Sequence, residues 1–112
     1  MKKIQLSILI LITILGCSSK SQLNDSDISG FVVSVESERI LVVTNIEKKE
    51  ADSIVSGGEK LNNNHIQYWI SADKNMINKI KEGDKVQVWF KGGVDESLPA
   101  KASAKSIKVV NE

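Results

Sequence analysis

The 112-residue chain has one cysteine, one histidine, one proline and a single arginine, Arg39, against fourteen lysines. One cysteine excludes an intramolecular disulfide. One cysteine and one histidine cannot assemble the usual zinc sets or a Cys/His relay, so no metal, cofactor or catalytic constellation is expected. Aromatics are scarce too, two Phe, two Trp and one Tyr, and the length allows one small domain. No charge of one sign dominates. Without the two lysines of residues 1–16, thirteen basic residues stand against fourteen acidic ones, a net charge of −1. That balance offers no basic stripe to a phosphate backbone, which argues against a nucleic-acid partner.

What is present begins with Met1-Lys2-Lys3 and a charge-free run, Leu6 to Leu15 (LSILILITIL). A cationic start followed by ten apolar residues has the pattern of a secretory signal, and at about 1.5 Å per residue it is too short to span a hydrocarbon core of roughly 30 Å. Ile14-Leu15-Gly16-Cys17 follows, with a small residue before the cysteine, and resembles the lipobox at which bacterial lipoproteins are lipidated on the thiol and cut before it. Residues 1–16 are therefore expected to be a signal peptide and Cys17 the lipidated residue. Residues 17–29 are small and polar without periodicity, a tether. The domain is expected over 30–112.

Phe31–Val35 and Ile40–Thr44 are β-branched runs separated by Glu36-Ser37-Glu38-Arg39, which predicts a hairpin, with Phe31, Val33 and Val35 on one face. Ile66–Ser71 puts Ile66, Tyr68 and Ile70 on one side and Gln67, Trp69 and Ser71 on the other. Over Asp73–Glu82 the period lengthens: Met76, Ile77 and Ile80 form a stripe between a candidate N-cap, Asp73, and a candidate C′ glycine, Gly83, which predicts about two helical turns. Asp84–Lys91 alternates again, with Val86, Val88 and Phe90 together. The last run keeps Ala100, Ala102 and Ala104 in step and then shifts phase near Lys105-Ser106 to Ile107 and Val109, as a bulge at a barrel corner does. Three strands, a helix and two strands predict an all-β fold with small α content, a five-stranded OB-like Greek-key barrel with one short helix between strands three and four. Another small barrel or an open α+β sheet is the alternative. The segment from Ile46 to His65 does not alternate and reads as a mobile excursion, in which Glu47 to Val55 could form a turn or two.

These stretches also carry a family resemblance. GFVVSVESERILVVTN, then YWIS, then IKEGDKVQVWFKGGVDESLPAKASAKSIKVV resemble the YobA-like family of small secreted domains and lipoproteins from Gram-positive bacteria, over roughly residues 28–110. Leu98 stands where that family commonly has an aromatic before the proline. The resemblance implies fold and location, and imports no activity.

Candidate sites are few. His65 as a general base would need a nucleophile and an orienting acid, and no such signature is present, so it reads as a surface histidine. Asp95 and Glu96, adjacent carboxylates in a loop after Gly92-Gly93, could bind calcium or act as acid and base, and otherwise are simply solvated. Trp69 and Trp89 lie on strand faces that otherwise carry Gln, Ser or Lys, so both should point outward as a stacking platform, unless another layer covers them. Together Trp69, Trp89, Asp95 and Glu96 are the candidate binding surface. The expected function is a non-catalytic, monomeric, lipid-anchored module on the outer face of the cytoplasmic membrane that binds a protein, peptide or envelope glycan. A structural or accessory subunit of an envelope complex is the alternative.

Overall fold

A computed structural model describes residues 26–110. The expected signal peptide, the expected lipidation site Cys17 and most of the expected tether lie outside the described residues. Five strands, β1 (Ile28–Val35), β2 (Arg39–Thr44), β3 (Ile66–Ser71), β4 (Lys85–Phe90) and β5 (Ala100–Val110), close into a barrel in the order β1-β2-β3-β5-β4. All pairs are antiparallel except β3 with β5. Helix α1 (Lys48–Ser56) follows β2, and a single turn, α2 (Lys74–Ile77), lies between β3 and β4. This is the expected OB-like barrel.

Closure is worked by β1, whose first half pairs with β4 and whose second half pairs with β2. Gly30 sits just before the handover. A Cβ there would run into the carbonyl of Val43, so a side chain would push apart the strands that must meet. The strand begins at Ile28, two residues before the expected start of the domain.

Two bulges set which residues face inward. In β5, Trp89 pairs with Ser106 and Phe90 with Ala104, so Lys105 is the extra residue, at the phase shift read from the sequence. In β1, Val32 pairs with Val42 and Ser34 with Leu41, so Val33 is extra. That second bulge corrects the expectation that Phe31, Val33 and Val35 share a face. Val35 joins Val32 on the barrel interior, and Val33 packs outside with Leu41 and Val43. An unbroken β-branched run, FVV, has no polar residue to reveal the slip.

The interior is filled by Val32, Ile40, Val42, Ile70, Val86 and Val88, all fully buried, and Ile77 and Ile80 plug one end. Ala102 and Ala104 supply the small side chains that the curved wall needs where β5 crosses Ile70 and Phe90. The predicted two-turn helix is one turn. The rest of the stretch is a tight connection in which the Ile80 amide donates to Ile77, the Lys81 amide to the Asp84 carboxylate, and the Gly83 amide to Val32 of the barrel. Gly83 adopts φ 94°, but in this connection rather than at the expected helix C′ position, since Asn78 caps the helix.

The segment after β2 is not a mobile excursion. Lys48–Ser56 is a nine-residue helix closed by Gly57 in the left-handed conformation. Its Ile54 and Val55 pack on the outer cluster of Val33, Leu41 and Val43, and its Ala51 is fully buried. Its apolar positions are too widely spaced to announce a helix alone. They suffice because the sheet already presents an apolar outer face.

Candidate functional site

Alternation places Trp69 and Trp89 on the outer face of the barrel, as expected, yet neither is freely exposed and they do not form one platform. Trp69 is half-buried against the cluster of Val33, Leu41 and Val43, and the Arg39 guanidinium lies over its ring with Cζ 3.7 Å from the centroid. Trp89 is also half-buried. The register sets the two apart: Trp69 pairs with Lys101 and Trp89 with Ser106, from opposite sides of β5. Five residues along a strand correspond to about 16 Å. Trp69 thus sits between the outer cluster and Arg39, and the register separates it along β5 from Trp89.

Asp95 and Glu96 are exposed. The backbone of Asp95 exchanges two hydrogen bonds with Lys101, at 2.8 and 2.9 Å, and its carbonyl accepts from the Ser97 amide. The pair serves to close the connection between β4 and β5, and its carboxylates do not join the other clustered acids.

His65, expected on the surface, has a side chain only 9% exposed. Its Nδ1 accepts from the Asn62 amide at 3.1 Å, which fixes the proton on Nε2, 3.0 Å from the Glu50 carboxylate, with Glu59 at 3.9 Å. Hydrogen bonding from His65, then from Glu59, holds Glu50 below the usual carboxylate range. Glu59 is held above it, because its protonated form donates to Glu50 and because it is partly desolvated. Glu50, Glu59 and His65 each offer a ligand atom within 4.8 Å of the others. A cation on Nε2 would need the proton on Nδ1, which faces an N–H donor instead of the acceptor that metal-bound histidines favour. The arrangement acts as a clasp that ties α1 to the turn before β3.

A large concavity lies at one end of the barrel. A cleft of about 890 Å³ opens between the β1–β2 turn (Glu36 to Arg39), the junction of β3 with α2 (Ser71 to Asp73) and the β5 bulge (Ser103 to Lys105), with Lys91 at its rim. Arg39 is held there twice, by its stack on Trp69 and by Nε donating to Glu36 Oε1 at 2.7 Å. Both signs of charge line the cleft, so it suits a ligand with donors and acceptors rather than a polyanion. Sequence reasoning missed Arg39 and the Glu50–Glu59–His65 clasp. A signal for the first was available: one arginine in a chain of fourteen lysines marks a place where a planar guanidinium is needed. The clasp had none, since its members are fifteen residues apart.

Two solved structures from Bacillus subtilis are similar to this chain. One is a solution structure of YobA residues 21–120, 17% identical, covering 85% of this chain and 91% of that one with a TM-score of 0.56. The other is a crystal structure of a YobA protein from strain 168, 23% identical, covering 74% of this chain and 91% of that one with a TM-score of 0.50. At such identities the likeness concerns the fold alone. A search of the curated proteins finds no match. Residues 29–111, which span all but the first residue of the barrel, match the model of the family described as protein of unknown function DUF3221, and the chain belongs to that YobA-like family.

Proposed function

We propose that this protein is a non-catalytic binding module, anchored by lipid at Cys17 to the outer face of the cytoplasmic membrane, which takes a protein, peptide or envelope glycan in the cleft at the end of its barrel. The observation that carries the reading is the convergence there of three separate stretches on an arginine immobilised by Trp69 and Glu36. A guanidinium fixed before a ligand arrives costs little further ordering when it binds. The mixed charge of Glu38, Arg39, Asp73 and Lys91 suits a polar chain with both donors and acceptors. Anchorage is supported by the apolar run and by Gly16-Cys17. This reading centres binding on Arg39, which Trp69 supports from beneath, rather than across both tryptophans.

An accessory subunit packed on an envelope complex is the second reading, favoured by Leu98, which is 80% exposed beside Pro99. Photo-crosslinking in intact cells tests the first. A crosslinker at Ser37, in the cleft, should give a discrete adduct that Arg39→Ala abolishes, and one at Asn63 should not. Adducts of equal yield at both positions reject the cleft. Anchorage is tested by fatty-acid labelling, which Cys17→Ala should eliminate; an unlabelled parent rejects it.

A further inference from the structure

We propose that the β4–β5 side of the barrel is a membrane-facing surface that lies on anionic phospholipid headgroups. The choice of partner rests on the anchoring reading above. The choice of surface rests on charge, shape and the point at which the chain enters the barrel.

β4 and β5 carry Lys85, Lys101, Lys105 and Lys108 and not one carboxylate. From Lys79 to Lys108 seven lysines stand against Glu82, Asp84, Asp95 and Glu96, with Asp27 beside β4, whereas from Glu36 to Lys60 six acids stand against Arg39, Lys48, Lys49 and Lys60. The domain is therefore a charge dipole even though the chain from Cys17 carries a net charge of only −1. Lys105 and Lys108 are exposed on β5, and Trp89 shares their outward side, paired with Ser106. Next to them, Lys79 and Lys108 flank a groove of about 460 Å³ floored by Met76, Ile80, Ile107 and Val109. Val109 is 37% exposed despite its place in the core register. Lysines around apolar side chains, with an indole on the same side, match the chemistry of a headgroup layer, where ammonium groups meet phosphate and an aromatic ring takes the boundary.

The chain enters on this side. The Asp27 amide donates to the Val88 carbonyl at 2.9 Å, and the Phe90 amide donates to Asp27 Oδ2 at 2.7 Å, so the residues leading back to Cys17 depart beside Trp89. Only residues 18–26 separate the anchor from that point, a reach of at most about 35 Å. β4 and the start of β1 are thus the part of the barrel nearest the anchor along the chain. An anionic surface attracts the lysine side and repels the acidic side, so anchoring at this point turns α1 outward.

The barrel closes within residues 28–110, so a chain starting at Ser18 tests the face without its lipid. Such a chain should sediment with vesicles containing phosphatidylglycerol and not with pure phosphatidylcholine, and salt should weaken the binding. Replacing Lys79, Lys105 and Lys108 together by Gln should weaken partitioning about a hundredfold, roughly fivefold per lysine. Lys49→Gln with Lys60→Gln, on the α1 side, should leave it within about twofold. In a Trp69→Phe background, Trp89 emission should shift to the blue on anionic vesicles. Equal binding to both lipids, binding to neither, or equal loss from the α1-side pair overturns the membrane face, as does retained binding by a triple variant with the parent's melting curve. Fatty-acid labelling separates the two readings: label on Cys17 without vesicle binding overturns the face and leaves the anchor, and vesicle binding without label supports the face and overturns the anchor.

Discussion

The domain has two apolar clusters built from the same strands, and they differ in enclosure. Inside the barrel, Val32, Ile40, Val42, Ile70, Val86 and Val88 are sealed on all sides by backbone. Outside it, Val33, Leu41 and Val43 are roofed by one nine-residue helix, the residues after it, and a tryptophan whose outer side is capped by Arg39. A closed barrel leaves no alternative packing. A roof of one helix does, and it is tied to the turn before β3 by His65 with Glu50. The tight cluster thus fixes the fold, and the looser one carries the side chains whose arrangement depends on their neighbours.

The sharpest way to break that contrast is to truncate one residue from each cluster. Ile70→Ala should cost about 3–4 kcal/mol, since nothing can collapse into the cavity, and Leu41→Ala about 2 kcal/mol, because the α1 roof can settle. Equal losses in denaturant titrations would show the outer layer to be as rigid as the barrel. Gly30→Ala should cost about 2–3 kcal/mol from the clash with the Val43 backbone, seen as a lower melting temperature. A near-neutral result would mean that β1 can move away from β2 without loss.

The tryptophans sharpen the comparison on the outer face. Trp69→Ala should cost about 2 kcal/mol, because it removes the wall between Leu41 and Arg39. Trp89→Ala should cost under about 1 kcal/mol, as suits a half-covered residue outside both clusters. Acrylamide should quench Trp89 more than Trp69 in the single-tryptophan variants. The reverse order would place the second layer over the wrong strand.

The smallest effect belongs to the clasp. Glu59 has a raised titration, so its stabilising contribution is full below its ordinary range and lost as the pH rises through the raised value. Glu50 is lowered, so its contribution is present above the ordinary range and lost as the pH falls through the lowered value. Glu59→Gln keeps a donor to Glu50 without the second charge. It should raise the melting temperature slightly at pH 7, and the gain should vanish as the pH falls far enough for Glu59 to be protonated in the parent. A gain that persists unchanged in acid would show that the two carboxyls do not share a proton.

Much of the barrel was legible because alternation survives wherever polar and apolar residues take turns, as along Gln67-Tyr68-Trp69-Ile70-Ser71 and Val86-Gln87-Val88-Trp89. The β5 bulge was legible because the lysines and serines change step at Lys105. The β1 bulge was hidden, since every residue of Phe31-Val32-Val33 suits either face. The α1 helix was hidden because Ala51, Ile54 and Val55 become a stripe only against the outer side of β1 and β2. Of the candidate site, the outward direction of both tryptophans was readable. Their separation was not, because it depends on the register of β5 between β3 and β4.

The sequence alone determined the number of strands, the place of the short helix and the alanines of the curved wall, since period, turn residues and side-chain volume are local properties. It also determined the lysine-only composition of β4 and β5. Tertiary structure decided what packs around Trp69, which carboxylates His65 meets, and that Lys105 joins the rim of the cleft to the lysine face. Those are distances between residues far apart in the chain, and they are set only when closing the barrel fixes every register at once.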